Sequence, residues 1–291
     1  MQPAQGMPPA SDGRAEQASI QPAELMEDRA LTAHALGAAE PWDGPVAFLD
    51  GIQRHEVVAY AGSSPIVVAT VAAAVRRREG RHFQTASETR RQIVIARPEA
   101  LAAAGPALEH WQTIVLPTDD APHPVGDLVQ ARIRVEQQRA ECEREAGRAF
   151  RAKDDGWLVI DGSLTESPDW AADPKMLGVI KSHASLPFGG EELETWLRLP
   201  YAHRTSVYQP KSRARAPVYA WAVRLWEWEG KDLLHGLIRV EAKPDSGTAA
   251  QADKISRWLL HERAPISTPD ARWDRLLYGI HDVERYLKAK N

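Results

Sequence analysis

Val46-Ala47-Phe48-Leu49-Asp50-Gly51 and Trp157-Leu158-Val159-Ile160-Asp161-Gly162 are two segments of this chain that end in the same way. In each segment, four apolar residues precede an Asp-Gly pair. A short continuous apolar run that stops at a turn signal is typical of a strand buried on both faces. The sequence therefore predicts two central strands, each of which carries an aspartate, Asp50 or Asp161, at its end.

The Asp-Gly pairs have two interpretations. Asp-Gly is a common turn dipeptide, because glycine accepts positive φ and aspartate hydrogen-bonds within its own turn. We interpret Asp43-Gly44 and Asp155-Gly156, which precede the two strands, as turns of this kind. If the two strands are neighbours, about 4.8 Å apart, their aspartates share one edge of a sheet. Such a pair of carboxylates is costly unless a proton or a divalent cation lies between them.

Composition places the chain among ordinary globular proteins. It has 291 residues, 43% of them apolar and 26% charged, and a formal net charge of −4. One cysteine, Cys142, excludes an internal disulfide and suits a reducing compartment. We find no apolar stretch of membrane-spanning length and no signal-peptide pattern, and we expect a cytoplasmic protein.

The order of predicted elements is that of an α/β protein. Residues 1–40 are rich in Ala, Pro, Gln and Glu and are predicted to be a disordered arm, with a helix near 22–36. Residues 41–291 are predicted to form one domain with a mixed sheet flanked by helices. After the strand at Asp50, strands are predicted at 56–61, 66–75, 92–96, 113–116, 157–160, 177–180, 217–228 and 232–241. Helices are predicted at 98–104, 125–151, 251–263 and 272–290.

The helix predicted over 125–151 has no proline and many helix-forming residues. Glu136 and Glu143 are seven residues apart, so they lie on the same face of this helix. The strand at 177–180 places Lys181 at its end.

At Asp50-Gly51 and at Asp161-Gly162-Ser163-Leu164 the chain resembles the NurA nuclease family, over about residues 45–290. This resemblance implies an RNase H-like fold related to the PIWI domain. It also implies a manganese-dependent DNA nuclease that is dimeric and works with a HerA-type hexameric ATPase.

The resemblance also implies a set of site residues. Asp50 and Asp161 match the two strand aspartates of the family. Either Glu136 or Glu143 matches its helix glutamate, and we favour Glu136. His281, which follows Tyr278, matches its late histidine. We expect these residues to hold two Mn²⁺ or Mg²⁺ ions and Lys181 to contact a phosphate.

A basic and aromatic segment provides a second functional signal. Residues 198–224 contain no Asp or Glu, and basic side chains alternate there with tyrosine and tryptophan. Such a mixture neutralises phosphates and stacks on bases, although a solvated loop has the same composition. The candidate nucleic-acid contacts in this segment are Tyr201, Arg204, Lys211, Arg213 and Arg215.

Several other activities lack their motifs. The chain has no Gly-Lys-Ser or Gly-Lys-Thr phosphate loop, so we expect any ATPase activity to come from a partner. It has no serine flanked by the glycines of a nucleophile elbow, and His261-Glu262 lacks the second histidine of a zinc protease. Two alternatives to a nuclease remain open. One is a catalytically inactive nucleic-acid-binding module of the same fold, and the other is a structural cap for a hexameric ATPase.

Overall fold

The computed structural model describes residues 19–118, 121–211, 215–264 and 272–290. Its strands are β1 Ser19–Gln21, β2 Ala23–Leu25, β3 Ala33–Ala35, β4 Val46–Ala61, β5 Ser64–Glu79, β6 His82–Ala96, β7 Gln112–Val115, β8 Trp157–Asp161, β9 Met176–Ile180, β10 Ser185–Pro187, β11 His203–Thr205, β12 Tyr208–Pro210, β13 Tyr219–Arg224 and β14 Leu237–Ala242. Its α-helices are α1 Pro98–Ala104, α2 Pro124–Arg151, α3 Pro168–Ala172, α4 Gly190–Leu197, α5 Ser246–Glu262 and α6 Tyr278–Ala289.

These elements form two compact units. The first unit contains the described residues up to Ala47 together with Gly156–His281, and the second contains Phe48–Asp155 and the described residues from Asp282 onwards. Both units combine strands with helices, and the predicted α/β class with a mixed sheet is confirmed. None of the described helices is long and apolar enough to cross a membrane.

The first unit is built on a mixed sheet. Its strands lie in the order β2, β12, β13, β14, β9 and β8, and β11 joins β13 to β3. The pair β8 and β9 is parallel, whereas β14 is antiparallel to both of its neighbours. Helix α5 packs on β13, where the indole N–H of Trp221 donates to the buried hydroxyl of Ser256 at 2.9 Å.

The second unit is built on a long hairpin. Strands β4, β5, β6 and β7 are successive neighbours, with β5 and β6 antiparallel and β6 and β7 parallel. Helix α2 packs against β5 and β6, and the carbonyl of Ala146 accepts a hydrogen bond of 2.7 Å from Ser87. One face of α2 is buried, at Ala131, Val135, Cys142 and Ala146. The helix therefore forms because one face is covered by the hairpin.

The N-terminal segment differs from its prediction. Residues 1–18 of the predicted disordered arm lie outside the described residues. The helix expected near 22–36 is wrong, since β2 pairs with β12 and β3 pairs with β11. Helix propensity is a weak preference, and here the unpaired edges of β11 and β12 supply backbone partners that outweigh it.

Two further boundaries differ from their predictions. The hairpin predicted at 217–228 and 232–241 is present as β13 and β14, but its strands are shorter and a longer connection joins them. The last helix begins at Tyr278 rather than at residue 272.

Candidate functional site

Asp50 lies inside a strand rather than at its end. Strand β4 continues through Asp50-Gly51 for eleven residues beyond Asp50, so the predicted strand end is wrong. Residues 46–50 of β4 are buried and residues 54–60 are exposed, which makes Asp50 the last buried residue, at 7% exposure. One carboxylate oxygen, Oδ1, accepts the N–H of Gly51 at 2.7 Å. The carboxylate thus lies where the strand emerges from the core.

The carboxylate of Glu143 lies against the residue that follows Asp50. A Cβ atom built on Gly51 would be 2.9 Å from Cγ of Glu143, closer than real Cβ contacts. Arg139, one helical turn earlier in α2, donates to the Glu143 carboxylate. Gly51 is therefore the contact point of both acids: its N–H bonds to Asp50, and the space beside its Cα holds Glu143.

Glu136, the other candidate, lies two helical turns from Glu143 on α2. Two turns correspond to about 10.5 Å along the helix axis, so the two glutamates are not interchangeable in position. The contact with Gly51 belongs to Glu143. The choice between them stays a prediction, and the geometry favours Glu143.

In the first unit, Asp161 forms an ion pair with Lys181. Asp161 ends β8 as predicted, and Lys181 directly follows β9, the parallel neighbour of β8. The ammonium nitrogen Nζ lies 2.7 Å from Oδ2 of Asp161, and the lysine side chain is 7% exposed while that of Asp161 is 27% exposed. The Asp161 side chain is therefore partly exposed beside a buried ammonium group.

In each unit the chemistry of these groups fits a hard divalent cation. Asp50 and Glu143 in the second unit, and Asp161 in the first, offer carboxylate oxygens, which are the ligands that Mg²⁺ and Mn²⁺ prefer. Because Gly51 has no Cβ, the Glu143 carboxylate is able to lie against the backbone beside Asp50.

His281 lies in the first turns of α6, where it is partly buried and its backbone N–H donates to the carbonyl of Leu277 at 3.0 Å. His183, two residues after Lys181, is also partly buried. Burial lowers the pKa of His183 to about 3, and its Nε2 lies 2.9 Å from the carbonyl of Leu237. His183 is therefore a neutral packing residue.

Arg204, a predicted nucleic-acid contact, is buried in ion pairs. The residue is 3% exposed, and its guanidinium donates to both carboxylate oxygens of Glu27 at 2.7 and 2.8 Å and also to Asp253. Burial lowers the pKa of Arg204, but the bonds to Glu27 and Asp253 outweigh this effect and raise the pKa above its usual value. Arg204 therefore holds the N-terminal segment to α5 and does not present its guanidinium to solvent.

The other predicted nucleic-acid contacts are distributed as follows. Lys211 is exposed and forms an ion pair of 3.3 Å with Glu24, and Arg215 is also exposed. The hydroxyl of Tyr201 accepts a hydrogen bond of 2.9 Å from Arg263. Arg213 lies outside the described residues.

A cluster of Glu27, Asp28 and His34 was not identified from the sequence. Their ligand atoms lie within 4.8 Å of one another. Both oxygens of Glu27 accept from Arg204, and Oδ2 of Asp28 lies 2.6 Å from the Ser206 hydroxyl and 2.8 Å from the His34 ring. The cluster is thus occupied by protein donors that neutralise its charge.

Glu241 was also missed. It is a buried acid on β14, 1% exposed, and its Oε2 accepts hydrogen bonds from Ser163 and from the N–H of Leu164, both in the turn after Asp161. The signal in the sequence was a glutamate within a short, mostly apolar segment, Leu237–Ala242.

Comparisons with known proteins bear on the fold. No protein-family model and no curated protein sequence matches the chain. Among solved structures, the chain is similar to the NurA nuclease from Sulfolobus solfataricus, with a TM-score of 0.52 and 10% sequence identity. The similarity covers 91% of this chain and 82% of that chain. The resemblance predicted from the Asp-Gly segments is thereby confirmed at the level of structure, and the chain has the fold of the NurA nuclease.

Proposed function

We propose that this protein is a metal-dependent DNA nuclease. The observation that carries the proposal is the position of Asp50 and Glu143 at Gly51, in a chain whose fold is that of a nuclease. A glycine that admits a glutamate side chain beside a buried aspartate brings two carboxylates close to one residue, an arrangement that a divalent cation would stabilise.

In the second unit the proposed metal ligands are Asp50 and Glu143, with Glu136 as a further candidate. In the first unit the proposed ligand is Asp161, with His281 as a further candidate. Two Mn²⁺ or Mg²⁺ ions, when bound, would activate a water molecule and neutralise charge on the leaving oxygen. The protein supplies the orientation of the ligands. The N–H of Gly51 fixes one oxygen of Asp50, and Arg139 fixes the carboxylate of Glu143.

Lys181 has a proposed role in binding the substrate. Its ammonium group is buried against Asp161 and carries hydrogens beyond the one donated to that carboxylate. We propose that it donates to a phosphate oxygen next to the scissile bond. Lys211 and Arg215, which are exposed, and Tyr201 and Arg213 are proposed to contact the rest of the nucleic acid.

The proposed partners follow from the resemblance to NurA. We propose that the protein acts as a homodimer with a HerA-type hexameric ATPase in the cytoplasm. The role would be DNA end processing or defence against phage. The absence of a phosphate-loop motif from the sequence supports a separate motor, and the single cysteine supports a reducing compartment.

Incubation with DNA tests the proposal. The full chain is mixed with linear plasmid or single-stranded DNA and Mn²⁺, with EDTA as the control, in the presence and absence of a HerA-type ATPase. We expect degradation that EDTA abolishes and that Asp50→Asn lacks, because the amide preserves shape and removes the charge. Full activity in folded Asp50→Asn would contradict the proposed role of this carboxylate. Binding of DNA without degradation under every condition would instead favour the inactive binding module.

A further inference from the structure

The turn that follows Asp161 has an unusual backbone. Gly162 has a φ of +139°, a conformation that favours glycine, and its N–H donates to the carbonyl of Val179 at 3.0 Å. Leu164–Glu166 then form a single 3₁₀ turn that Ser163 caps. Asp161 is thus joined directly to a segment of low intrinsic stability, since short 3₁₀ turns have poor hydrogen-bond geometry.

A side chain from another strand holds this turn. Oε2 of Glu241 accepts from the Ser163 hydroxyl at 2.7 Å and from the N–H of Leu164 at 2.9 Å. The Ser163 oxygen in turn accepts the N–H of Thr165 at 3.2 Å, and the Thr165 hydroxyl lies 2.7 Å away. Because the only hydroxyl hydrogen of Ser163 is used on Glu241, the chain of donors runs from Thr165 through Ser163 to Glu241.

The neighbouring strand leaves room for this connection. Gly178 on β9 pairs with Glu241 on β14 and with Ile160 on β8, so these three residues occupy one row across the sheet. A Cβ at Gly178 would lie 2.7 Å from the carbonyl oxygen of Gly162. The turn after Asp161 therefore lies directly over Gly178, within reach of Glu241.

Burial of Glu241 is costly without a compensating role. An ionised carboxylate taken out of water needs hydrogen bonds and an opposite charge. The turn supplies two hydrogen bonds, and Arg239 lies 3.4 Å from the other oxygen, Oε1. An apolar residue of similar size would fill the same space in the sheet without this cost. What the carboxylate adds is a fixed position for the turn.

We propose that Glu241 is a positioning residue for Asp161. Its carboxylate fixes Ser163 and Leu164, and through them it fixes the backbone from which the Asp161 carboxylate projects. This inference rests on the proposed function, in which Asp161 is a metal ligand. Residues that orient a ligand in this way typically change metal affinity or activity roughly 10–100-fold when they are replaced.

The test uses four variants of the full chain: Glu241→Ala, Glu241→Gln, Ser163→Ala and the control Ser256→Ala. The control removes one hydroxyl hydrogen-bond acceptor from the same unit, the one that serves Trp221, without touching the turn. Two quantities are measured, namely amide hydrogen exchange over residues 158–166 and the affinity for Mn²⁺ by calorimetry. Melting temperatures are recorded to confirm that each variant is folded.

We expect faster exchange over 158–166 and roughly 10–100-fold weaker Mn²⁺ binding in Glu241→Ala. Ser163→Ala is expected to show a smaller change in the same direction, and it serves if Glu241→Ala does not fold. Glu241→Gln keeps an acceptor oxygen and is expected to restore most of both properties. Ser256→Ala is expected to leave both unchanged even where its melting temperature falls.

Unchanged exchange over 158–166 in Glu241→Ala would overturn the inference, and so would faster exchange with unchanged Mn²⁺ affinity. Failure of the proposed function gives a different result, in which the wild-type chain binds no Mn²⁺ at all. In that case Asp161 is not a metal ligand, and the inference that Glu241 positions it as one is overturned too. The exchange data then show separately whether Glu241 holds the turn.

Discussion

At Gly51, the substitution Gly51→Ala adds a single methyl group and thereby tests the candidate site. Its missing Cβ leaves the space that the side chain of Glu143 occupies. We predict that Gly51→Ala weakens Mn²⁺ binding and cleavage at least tenfold while the protein stays folded. The Glu143 side chain is flexible and is able to move away, but it then leaves the backbone beside Asp50. Mn²⁺ titration and a DNA cleavage assay measure the effect.

The matched control for this change is Gly126→Ala. Gly126 lies in the first turn of α2, and a Cβ there would meet only ordinary contacts, the nearest at 3.6 Å. Alanine also favours the helix by about 1 kcal/mol over glycine. This control is expected to keep wild-type Mn²⁺ affinity. Equal affinity in Gly51→Ala and in the control would remove the steric argument for Glu143.

Substitution also distinguishes between Glu136 and Glu143, the two candidate ligands on α2. We predict that Glu143→Gln lowers cleavage by at least a hundredfold, whereas Glu136→Gln lowers it less than tenfold. The physical reason is that only Glu143 contacts Gly51, and the two glutamates are about 10.5 Å apart along the helix. Initial rates of DNA degradation in Mn²⁺ measure both. The reverse ranking would restore Glu136 as the ligand.

Individual residues were predictable where the local pattern determines their position. Lys181 follows a short apolar run, so its place after β9 could be read from the sequence, although its pairing with Asp161 could not. Arg204 was not predictable, because its burial depends on Glu27, 177 positions earlier in the chain. A basic residue beside tyrosines has the same local pattern whether it meets a phosphate or a distant carboxylate.

At the scale of elements, β4 shows the limit of turn signals. Asp50-Gly51 has the composition of a turn, yet the strand continues through it to Ala61. Its neighbour β5 is equally long, and pairing along the hairpin satisfies the backbone groups that a turn would otherwise have to satisfy. The helices α1 and α2 were predicted to within one residue, because proline, helix propensity and apolar periodicity act locally, whereas α5 begins five residues before its predicted start.

The attachment of the N-terminal strands through Arg204 leads to a prediction on stability. We predict that Arg204→Met lowers the free energy of unfolding by roughly 3 kcal/mol, because it leaves Glu27 and Asp253 without their partner. The control is Arg198→Met, which removes an exposed ion pair with Glu194 and is expected to cost less than about 1 kcal/mol. Urea denaturation measures both. Equal stability of the two variants would show that the buried pair contributes nothing.

The same attachment should depend on pH. Burial raises the pKa of Glu27, but the bonds from Arg204 and Val207 outweigh it and hold this pKa below its usual 4.5. The hydroxyl of Ser206 and the ring of His34 lower the pKa of Asp28 below its usual 3.8, despite an opposing effect of burial. Both carboxyls therefore bind protons more weakly in the folded protein. Their contribution to stability is complete above about pH 4.5 and is lost as the pH falls through the folded values.

We predict a measurable loss of stability in the wild type between pH 5 and 3, with a shallower slope in Arg204→Met. The slope reports the protons taken up on unfolding. Unfolding free energies at several pH values give it directly, and Arg198→Met is expected to keep the wild-type slope. An unchanged slope in Arg204→Met would mean that other carboxyls account for the acid sensitivity.

At the scale of the whole molecule, the division into two units could not be predicted from composition. The chain leaves the first unit between Ala47 and Phe48, inside β4, and leaves it again between His281 and Asp282, inside α6. A third transition, between Asp155 and Gly156, lies in the connection from α2 to β8, but these two fall within regular elements, so no Pro-, Gly- or Ser-rich linker marks them. Sequence patterns identify linkers by composition, and these transitions have none.

Binding of the metal ion should stabilise the molecule as a whole. A ligand that binds only the folded state adds about 2.7 kcal/mol at a concentration a hundredfold above its dissociation constant. For a protein of this size, each kcal/mol raises the melting temperature by about 2 °C. We therefore predict that saturating Mn²⁺ raises the melting temperature of the wild type by several degrees and that EDTA reverses the shift. Asp50→Asn retains the acceptor for the Gly51 N–H but lacks the charge, so its melting temperature should respond weakly to Mn²⁺. A full Mn²⁺ shift in that variant would place the ion elsewhere in the molecule, whatever the cleavage assay shows.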